Sequence, residues 1–197
     1  MGDPKFLRRT FDTPKHPWEA GRMEQEAKLL TKYGLKNKKE LWKAQSILRG
    51  FRRQARDLQA RLRAGEEQAK RESDGLLGRL TRLGLLPPGS PTLDDVLALT
   101  LEELLARRFQ SVVTTRGLAP TPNGARQLIV HGHLSIRDHR VTRPGYLVLA
   151  AEEGQIAYAP GSPLNSDDHA IRVGMRERAT AAAAVPDTPP AEPTMGA

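Results

Sequence analysis

The feature that most constrains this chain is a run of apolar residues at helical spacing between Asn37 and Arg63. Two sets of residues, each spaced by seven, make up the run: Leu41, Leu48, Ala55 and Leu62, and Ala44, Phe51 and Leu58. The spacing predicts one apolar stripe along a long helix, which has to be covered by another element to be stable in water. Asn37 and Glu40 have the capping-box spacing at its start. Ala64-Gly65 predicts its end.

The other faces of this predicted helix are basic. They carry Lys43, Arg49, Arg52, Arg53, Arg56, Arg61 and Arg63. A coiled-coil homodimer needs complementary flanking charges, and Asp57 is the sole acid in the later part of the helix. Self-pairing would bring like charges together. We therefore expect packing within the chain, no homo-oligomer, and an arginine face directed at a polyanion; a merely solvated basic face is the alternative.

A second organised stretch runs from Thr121 to Val148. Thr121 suits an N-cap and Pro122 the first helical turn. A buried stripe is predicted at Ala125, Leu128 and Ile129, with Arg126, Gln127 and His131 on the wetter side. Gly132 can end the helix in a left-handed conformation.

A hairpin is predicted after Gly132. Leu134 and Ile136 alternate with Ser135 and Arg137 as in a half-buried strand. Asp138-His139 is predicted as the turn, and Val141 as the start of the return strand. Helix and hairpin together gather cations into a surface suited to phosphate: Arg116, Arg126, His131, His133, Arg137, Arg140 and Arg143.

The remaining segments are predicted from local signals. Helices are expected over 20–33, ended by Gly34, over 66–83, from Thr92, and from Thr100 to Arg116-Gly117, with a proline-rich linker at 87–91. Leu105 and Phe109 are expected to pack under Leu128 and Ile129, and Arg107 to stay in water. Residues 155–158 predict a short strand, and the Ala-, Pro- and Thr-rich segment from Ala179 predicts disorder.

Charge is distributed unevenly along the 197 residues. The net charge is +8 and the pI about 10.1, which favours a polyanionic partner. Residues 1–63 hold 17 Lys and Arg against 7 Asp and Glu, and residues 101–150 hold 7 against 3. Residues 64–100 hold 4 against 6, and 151–197 hold 3 against 7. Two basic regions are thus separated by a nearly neutral connector.

Several classes of function are disfavoured because the sequence lacks the residues or motifs that they need. There are no cysteines, which excludes disulfides and thiolate chemistry. No apolar run approaches the roughly 18 residues of a membrane helix, and the first ten residues do not resemble a signal peptide. No nucleotide-binding, hydrolase or zinc-protease motif occurs, so no enzyme, cofactor or membrane association is expected. His131, His133 and His139 lack further convergent ligands, so no metal is expected.

Residues 1–19 contain three prolines and no regular period, which predicts an extended arm. Its cations alternate with the aromatic residues Phe6, Phe11 and Trp18. Such a segment can contact phosphates while its rings stack on bases or fill a groove. A frayed terminus is the alternative interpretation.

The residues of the second stretch carry a family resemblance. ARQLIVHGH, then V-T-x-P and Y-L-V, resemble the S4 RNA-binding domain, which also occurs in RNA-modifying enzymes. The rest of the chain extends the match: TPKHPW, NKxELW, FRRQAR, RLxRLGLL and TLDDVLxLTLEELLxRR resemble the archaeal form of the S4 family of small-subunit ribosomal proteins. The match covers roughly residues 1–165 in unbroken order. It departs from the family at the hairpin turn, where Arg137-Asp138 replaces Asn-Gly, and at Gly145, where serine is usual.

The resemblance implies a structural, non-enzymatic role. Members of the family bind small-subunit rRNA directly near a junction of its 5′ domain, nucleate assembly, border the channel through which mRNA enters, and contact ribosomal protein S5, which links them to decoding accuracy. The matching positions implied to face RNA are Arg116, Arg126, Gln127, His131, His133 and Arg143. The implied location is the ribosome in the cytoplasm. A free-standing RNA chaperone or pre-rRNA processing factor is the alternative, and an RNA-modifying enzyme a more distant one.

The expected fold is α+β and mostly helical, in four segments. These are an extended basic arm (1–19), a helical region (20–91), an S4-like module with helices on a short antiparallel hairpin (92–165), and a low-complexity, disordered tail (166–197). The expected RNA-binding residues outside the family motif are Lys5, Arg8, Arg9, Lys15, His16, Trp18, Lys38, Lys39, Arg49, Arg52, Arg53, Arg56, Arg107, Arg108, Arg137 and Arg140.

Overall fold

A computed structural model describes residues 9–166 and 169–175 of the chain. The fold is mostly helical with one small antiparallel sheet, as the sequence predicts. The helices are α1 (Ala20–Tyr33), α2 (Lys38–Arg63), α3 (Glu67–Arg82), α4 (Leu93–Ala98), α5 (Leu101–Ala106), α6 (Phe109–Thr115), α7 (Pro122–Val130) and α8 (Ala150–Glu153). The strands are β1 (Leu134–Ile136), β2 (His139–Arg140) and β3 (Ile156–Tyr158), followed by a 3₁₀ turn at Pro163–Asn165. No helix in this described part is long and apolar enough to cross a membrane.

Helix α2 is the centre of the N-terminal half. Its predicted apolar stripe is buried against α1, α3, α4 and α5, with Leu41 and Ala55 fully inaccessible. The prediction of packing within the chain is therefore confirmed. This first core cluster is contributed by residues 35–105, and Leu147 packs against it from the other half of the chain.

The predicted helix caps are formed where the sequence places them. Asn37 accepts a hydrogen bond from the Glu40 backbone N–H, and Thr121 accepts one from Gly124. Reciprocal capping boxes join Thr92 to Asp95 and Thr100 to Glu103. These local bonds satisfy N–H groups that a helix start leaves unpaired.

The second core cluster joins α6, α7 and the sheet. Phe109, Val113, Ile129 and Leu134 are fully buried in it. Phe109 does pack with the Leu128 and Ile129 stripe, as predicted. Leu105 does not, because it belongs to the first cluster.

The continuous helix predicted from Thr100 to Arg116 is wrong. The chain breaks between α5 and α6, where Arg108 is extended with φ −69° and ψ 143°. The reason is long-range pairing with residues 146–148. Val148 N–H donates to the Arg107 carbonyl at 3.0 Å, and Phe109 N–H donates to the Tyr146 carbonyl at 2.7 Å.

The sheet has the order β2-β1-β3, with both pairs antiparallel. The hairpin turn lies at Arg137-Asp138, where both residues have positive φ (50° and 66°), and not at Asp138-His139. The return strand accordingly starts at His139 and not at Val141. Ser135 is buried, contrary to the half-exposed strand that was predicted, and its hydroxyl donates to the Ala157 carbonyl of the neighbouring strand β3 at 3.4 Å.

Both ends of the described chain pack on the folded body. In the arm, the Phe11 ring lies 6.1 Å from that of Trp42, and the Asp12 carboxylate lies 2.8 Å from Arg49 on α2. Residues 170–175 are helical, and the Arg172 guanidinium lies over the Tyr158 ring. The prediction of disorder from residue 166 therefore does not hold for 169–175. The rest of that prediction, with its Ala-rich segment from 179, lies outside the described residues, as do Lys5 and Arg8.

Candidate nucleic-acid interface

The carboxylate of Glu40 on α2 links the two halves of the chain. It accepts a 2.7 Å hydrogen bond from Arg108 and a 2.6 Å hydrogen bond from Arg126 on α7. Burial of the carboxyl group acts to raise its pKa, but the hydrogen bonds and charges of Arg126 and Arg108 outweigh burial. The pKa of Glu40 is lowered as a result. Glu40 does not close the capping box with Asn37, because its side chain turns to these arginines.

Gln110 on α6 adds a neutral link at the same place. Its side-chain amide donates to the carbonyls of Gly34 and Pro122, each at 2.8 Å. Arg126 approaches its side-chain oxygen at 3.4 Å. Gln110 is 1% exposed, so the end of α1 and the start of α7 are held through a buried side chain. No local sequence pattern around Gln110 indicates this role.

Several predicted RNA-binding cations are directed instead at the protein. Arg108 is 7% exposed, and its guanidinium donates a hydrogen bond to the Glu40 carboxylate. Arg107 pairs with Glu153 at 2.8 Å and also donates to the Val148 carbonyl, so the prediction that it stays in water is wrong. Arg126 is partly buried on Glu40. We therefore assign a structural role to these three arginines and do not include them in the candidate RNA-binding surface.

Other candidates divide their donors between the protein and solvent. Arg52 donates to the Leu99 carbonyl, Arg116 to the carbonyls of Glu153 and Ile156, and Arg137 to the side-chain oxygen of Gln155. Lys38 lies 3.2 Å from the buried Glu26. A guanidinium has five N–H donors, so Arg116 and Arg137, both exposed, keep donors for a further partner.

One cationic surface with open donors lies on α2. Arg53, Arg56 and Lys39 are exposed and, within the described part of the chain, have no hydrogen bond or ion pair. Arg49 is also exposed but pairs with Asp12. We call Lys39, Arg53 and Arg56 the helix surface. The packed helix α2 fixes the backbone positions from which these three side chains project into solvent.

A second surface lies at the end of α7 and the hairpin. Gln127, His131 and Arg140 are exposed there, and the Arg140 side chain lies against Gly132. We call these three residues the hairpin surface. His133 is less available because its Nδ1 is hydrogen bonded to Ser162 Oγ at 3.0 Å. The described residues contain no group of three or more ligands that could hold a metal.

The arm adds exposed groups between these elements and the N-terminus. Lys15, His16 and Trp18 are exposed, Trp18 at 85%. Arg9 lies over the ring of Phe11, 5.6 Å from its centroid. Phe11 itself is occupied by Trp42, so Trp18 is the aromatic residue of the described arm that remains free to stack.

Sequence reasoning missed a third cationic site. Arg79 and Arg82, on the exposed side of α3, lie across a groove from Arg143 in the segment before Pro144. Neither was singled out, because residues 64–100 carry slightly more acid than base and the linker that follows them suggested a connector. The groove forms only when residues 143–149 pack beside α2 and α3.

Comparisons with known proteins agree with this division of the chain. The family model described as "Ribosomal protein S4/S9 N-terminal domain" matches residues 5–106, and the model described as "S4 domain" matches residues 107–153. Proteins named small ribosomal subunit protein uS4 match along most of their length. The one from Thermoplasma acidophilum is 49% identical over 87% of this chain and 86% of its own.

Two further relatives with the same name extend the comparison. The protein from Methanococcus aeolicus is 49% identical over 87% of this chain and 96% of its own, and that from Picrophilus torridus is 47% identical over 89% and 95%. The relatives are archaeal, and the family is one of structural proteins of the ribosome and not of enzymes. With two family models covering consecutive parts and identities near one half, this chain belongs to the uS4 family of small ribosomal subunit proteins.

Proposed function

We propose that the protein binds small-subunit rRNA directly and acts as an early, nucleating protein in assembly of the subunit. The observation that carries this proposal is the presence of two exposed surfaces, the helix surface with three cations and the hairpin surface with Arg140, Gln127 and His131, on elements that Glu40 links through ion pairs. Because the backbone that carries these groups is already folded, binding to phosphate orders their side chains without having to order the backbone as well. The family membership and the excess of 31 Lys and Arg over 23 Asp and Glu support the same role.

The proposed RNA-contact residues follow from exposure and free donors. They are the helix surface, the hairpin surface, Arg143, and the arm residues Arg9, Lys15, His16 and Trp18, with Arg49, Arg116, Arg137 and His133 contributing the donors that they do not use within the protein. Lys38 and Arg52 contribute less, because their nitrogen atoms are engaged with Glu26 and Leu99. Lys5 and Arg8 are included on sequence grounds alone.

Family resemblance supports the finer parts of the proposal. We propose that the bound protein borders the channel through which mRNA enters, contacts ribosomal protein S5 and contributes to translational accuracy, in the cytoplasm. A dual-luciferase misreading reporter in cells carrying variants of the protein tests this part. Unchanged error rates in every variant that still enters the subunit would contradict it.

The experiment that tests the main proposal is sedimentation of a cell lysate on a sucrose gradient in high salt. A stoichiometric ribosomal protein co-sediments with the small subunit, whereas a free-standing chaperone or a pre-rRNA processing factor stays in lighter fractions or in precursor particles. Filter binding of the purified protein to a small-subunit rRNA transcript then tests direct contact. Recovery of the protein in the soluble fractions alone would overturn the proposal.

A further inference from the structure

The groove beside Arg79 and Arg82 has a chemistry that the two surfaces above do not share. Its volume is about 1030 Å³. Among the residues that line it are three exposed arginines and no acid. Its floor is apolar and includes Ile47, Phe51, Leu83, Leu147 and Leu149.

Part of this floor is open to solvent. Ile47 on α2 is 43% exposed, and Tyr146 on the opposite wall is 36% exposed. The Tyr146 hydroxyl donates to Glu152 at 2.8 Å, which holds the ring in place. The Arg79 guanidinium lies 5.9 Å from the centroid of the Phe51 ring, so a cation already lies on an aromatic face at the groove edge.

Gly50 provides an independent observation. It lies inside α2, where glycine is less favourable than alanine because it adds backbone freedom to the unfolded chain. Its φ is not positive, and a Cβ built on it would meet no atom within 4 Å. Packing and backbone geometry therefore do not require glycine here. Gly50 lines the groove, so a side chain at position 50 would occupy part of it.

We propose that this groove receives an unpaired rRNA nucleotide, with its base on the apolar floor beside Gly50 and its flanking phosphates on Arg79, Arg82 and Arg143. A flat, largely apolar base suits the floor, and phosphates suit a rim of three arginines without an acid. Proteins commonly bind RNA loops and bulges by stacking their bases on aromatic side chains and arginine planes. This inference rests on the proposed rRNA binding and specifies where an extruded base is held.

The test uses the full-length protein with Gly50→Leu, which fills the groove but removes no cation. Gly75→Leu is the matched control, because Gly75 is also an open helical glycine, on α3, and does not line the groove. Leucine favours a helix over glycine, so both variants are expected to keep or raise the melting temperature. Affinity of Gly50→Leu for a small-subunit rRNA transcript should fall about 5- to 150-fold, the equivalent of one lost base stack. Its dependence on salt should change less than that of a variant that lacks the rim arginines, because no cation is removed.

A second variant separates the rim from the floor. Arg79→Gln with Arg82→Gln should lower the slope of log affinity against log salt by up to about 0.7 for each lost contact with single-stranded RNA. Chemical probing of the transcript should show one unpaired base protected by the wild-type and Gly75→Leu proteins and reactive with Gly50→Leu.

Each other outcome has a defined meaning. If the wild-type protein does not bind the transcript, the proposed function fails. If it binds and Gly50→Leu binds equally well, the groove inference alone is overturned. A further outcome would also overturn the inference. If Gly50→Leu keeps full rRNA affinity but the subunits that contain it have lost a neighbouring ribosomal protein, the groove binds a segment of that protein and not a nucleotide.

Discussion

The carboxylate of Glu40 lies 2.6 Å from the guanidinium of Arg126, 86 residues further along the chain. The same carboxylate neutralises Arg108, which is almost completely buried. One acid on the long helix therefore pairs with two cations of the S4 domain, and the cluster keeps a net charge of +1. The relative position of the helix surface and the hairpin surface depends on this contact and on Gln110 beside it.

Replacement of Glu40 by glutamine is expected to destabilise the fold by about 2–4 kcal/mol, because it leaves Arg108 buried without an anionic partner. Arg126→Gln should cost less, since Arg108 then keeps its carboxylate. Urea unfolding of both single variants and the double variant measures the coupling. Additive losses would show that Glu40 and Arg126 do not act together.

The Glu40 carboxylate is also expected to make the stability of the protein depend on pH. The pKa of Glu40 is lowered in the folded chain, so its ionised form is favoured by folding. Its contribution is fully present above the ordinary carboxyl pKa and is lost as the pH falls through the lowered value. Unfolding free energy should therefore fall less steeply in acid for Glu40→Gln than for the wild-type protein. Parallel curves between pH 6 and about 3 would contradict this assignment.

The hairpin turn stores backbone strain at Arg137 and Asp138, whose φ values are 50° and 66°. Asp138→Gly is expected to stabilise the protein by about 0.5–1 kcal/mol, because glycine adopts positive φ without a Cβ clash. Asp138→Ala is the matched comparison and should destabilise, since alanine tolerates this region less well than aspartate. Thermal unfolding measures both. A lower melting temperature for the glycine variant would contradict the turn geometry.

Exposed and engaged arginines of α2 should respond differently to substitution. Arg53→Gln and Arg56→Gln are each expected to reduce the salt slope of rRNA binding by up to about one unit, with little change in stability. Arg52→Gln should instead lower stability, because the Arg52 guanidinium holds the Leu99 carbonyl at the end of α4. Binding titrations across a salt series, with melting temperatures for each variant, make the comparison. Equal slopes in all three variants would remove the helix surface from the RNA interface.

The arm is expected to be docked before RNA binds. In a Trp18→Phe background, Trp42 is the remaining tryptophan and reports on its contact with Phe11. Phe11→Ala should shift its fluorescence to longer wavelength and lower stability by about 0.5–1.5 kcal/mol, the value of an aromatic pair. An unchanged emission spectrum without RNA would show that the arm does not rest on α2 in solution.

Structural features that depend on short stretches of sequence could be predicted. The stripe of α2, the caps at Asn37, Thr92, Thr100 and Thr121, and the approximate helix ends all depend on residues within a few positions of each other. The family motifs likewise identified the S4 domain and the ribosomal family.

Features that depend on distant partners could not be predicted. In the sequence, Arg107, Arg108 and Arg126 cannot be told apart from exposed arginines. What distinguishes them is their partners in the fold: Glu153 and the Val148 carbonyl for Arg107, and Glu40 for Arg108 and Arg126. The break between α5 and α6 has the same origin, because residues 107–109 pair with a strand-like segment about forty residues later. Arg79 and Arg82 share a groove with Arg143, which lies more than 60 residues further along the chain, so no local pattern relates them.

The division of the core has a consequence for synthesis of the protein. The buried members of the first cluster all come from residues 35–105, so the helical half can fold while the rest of the chain is still being made. Arg143 and Tyr146 are translated later, so the groove cannot form before they have been added. A nascent chain thus exposes the helix surface without the groove. If the helix surface binds RNA as proposed above, we expect the early contacts of the nascent chain to be electrostatic and sensitive to salt, and contacts with a base in the groove to form only after residues 143–149 have been added.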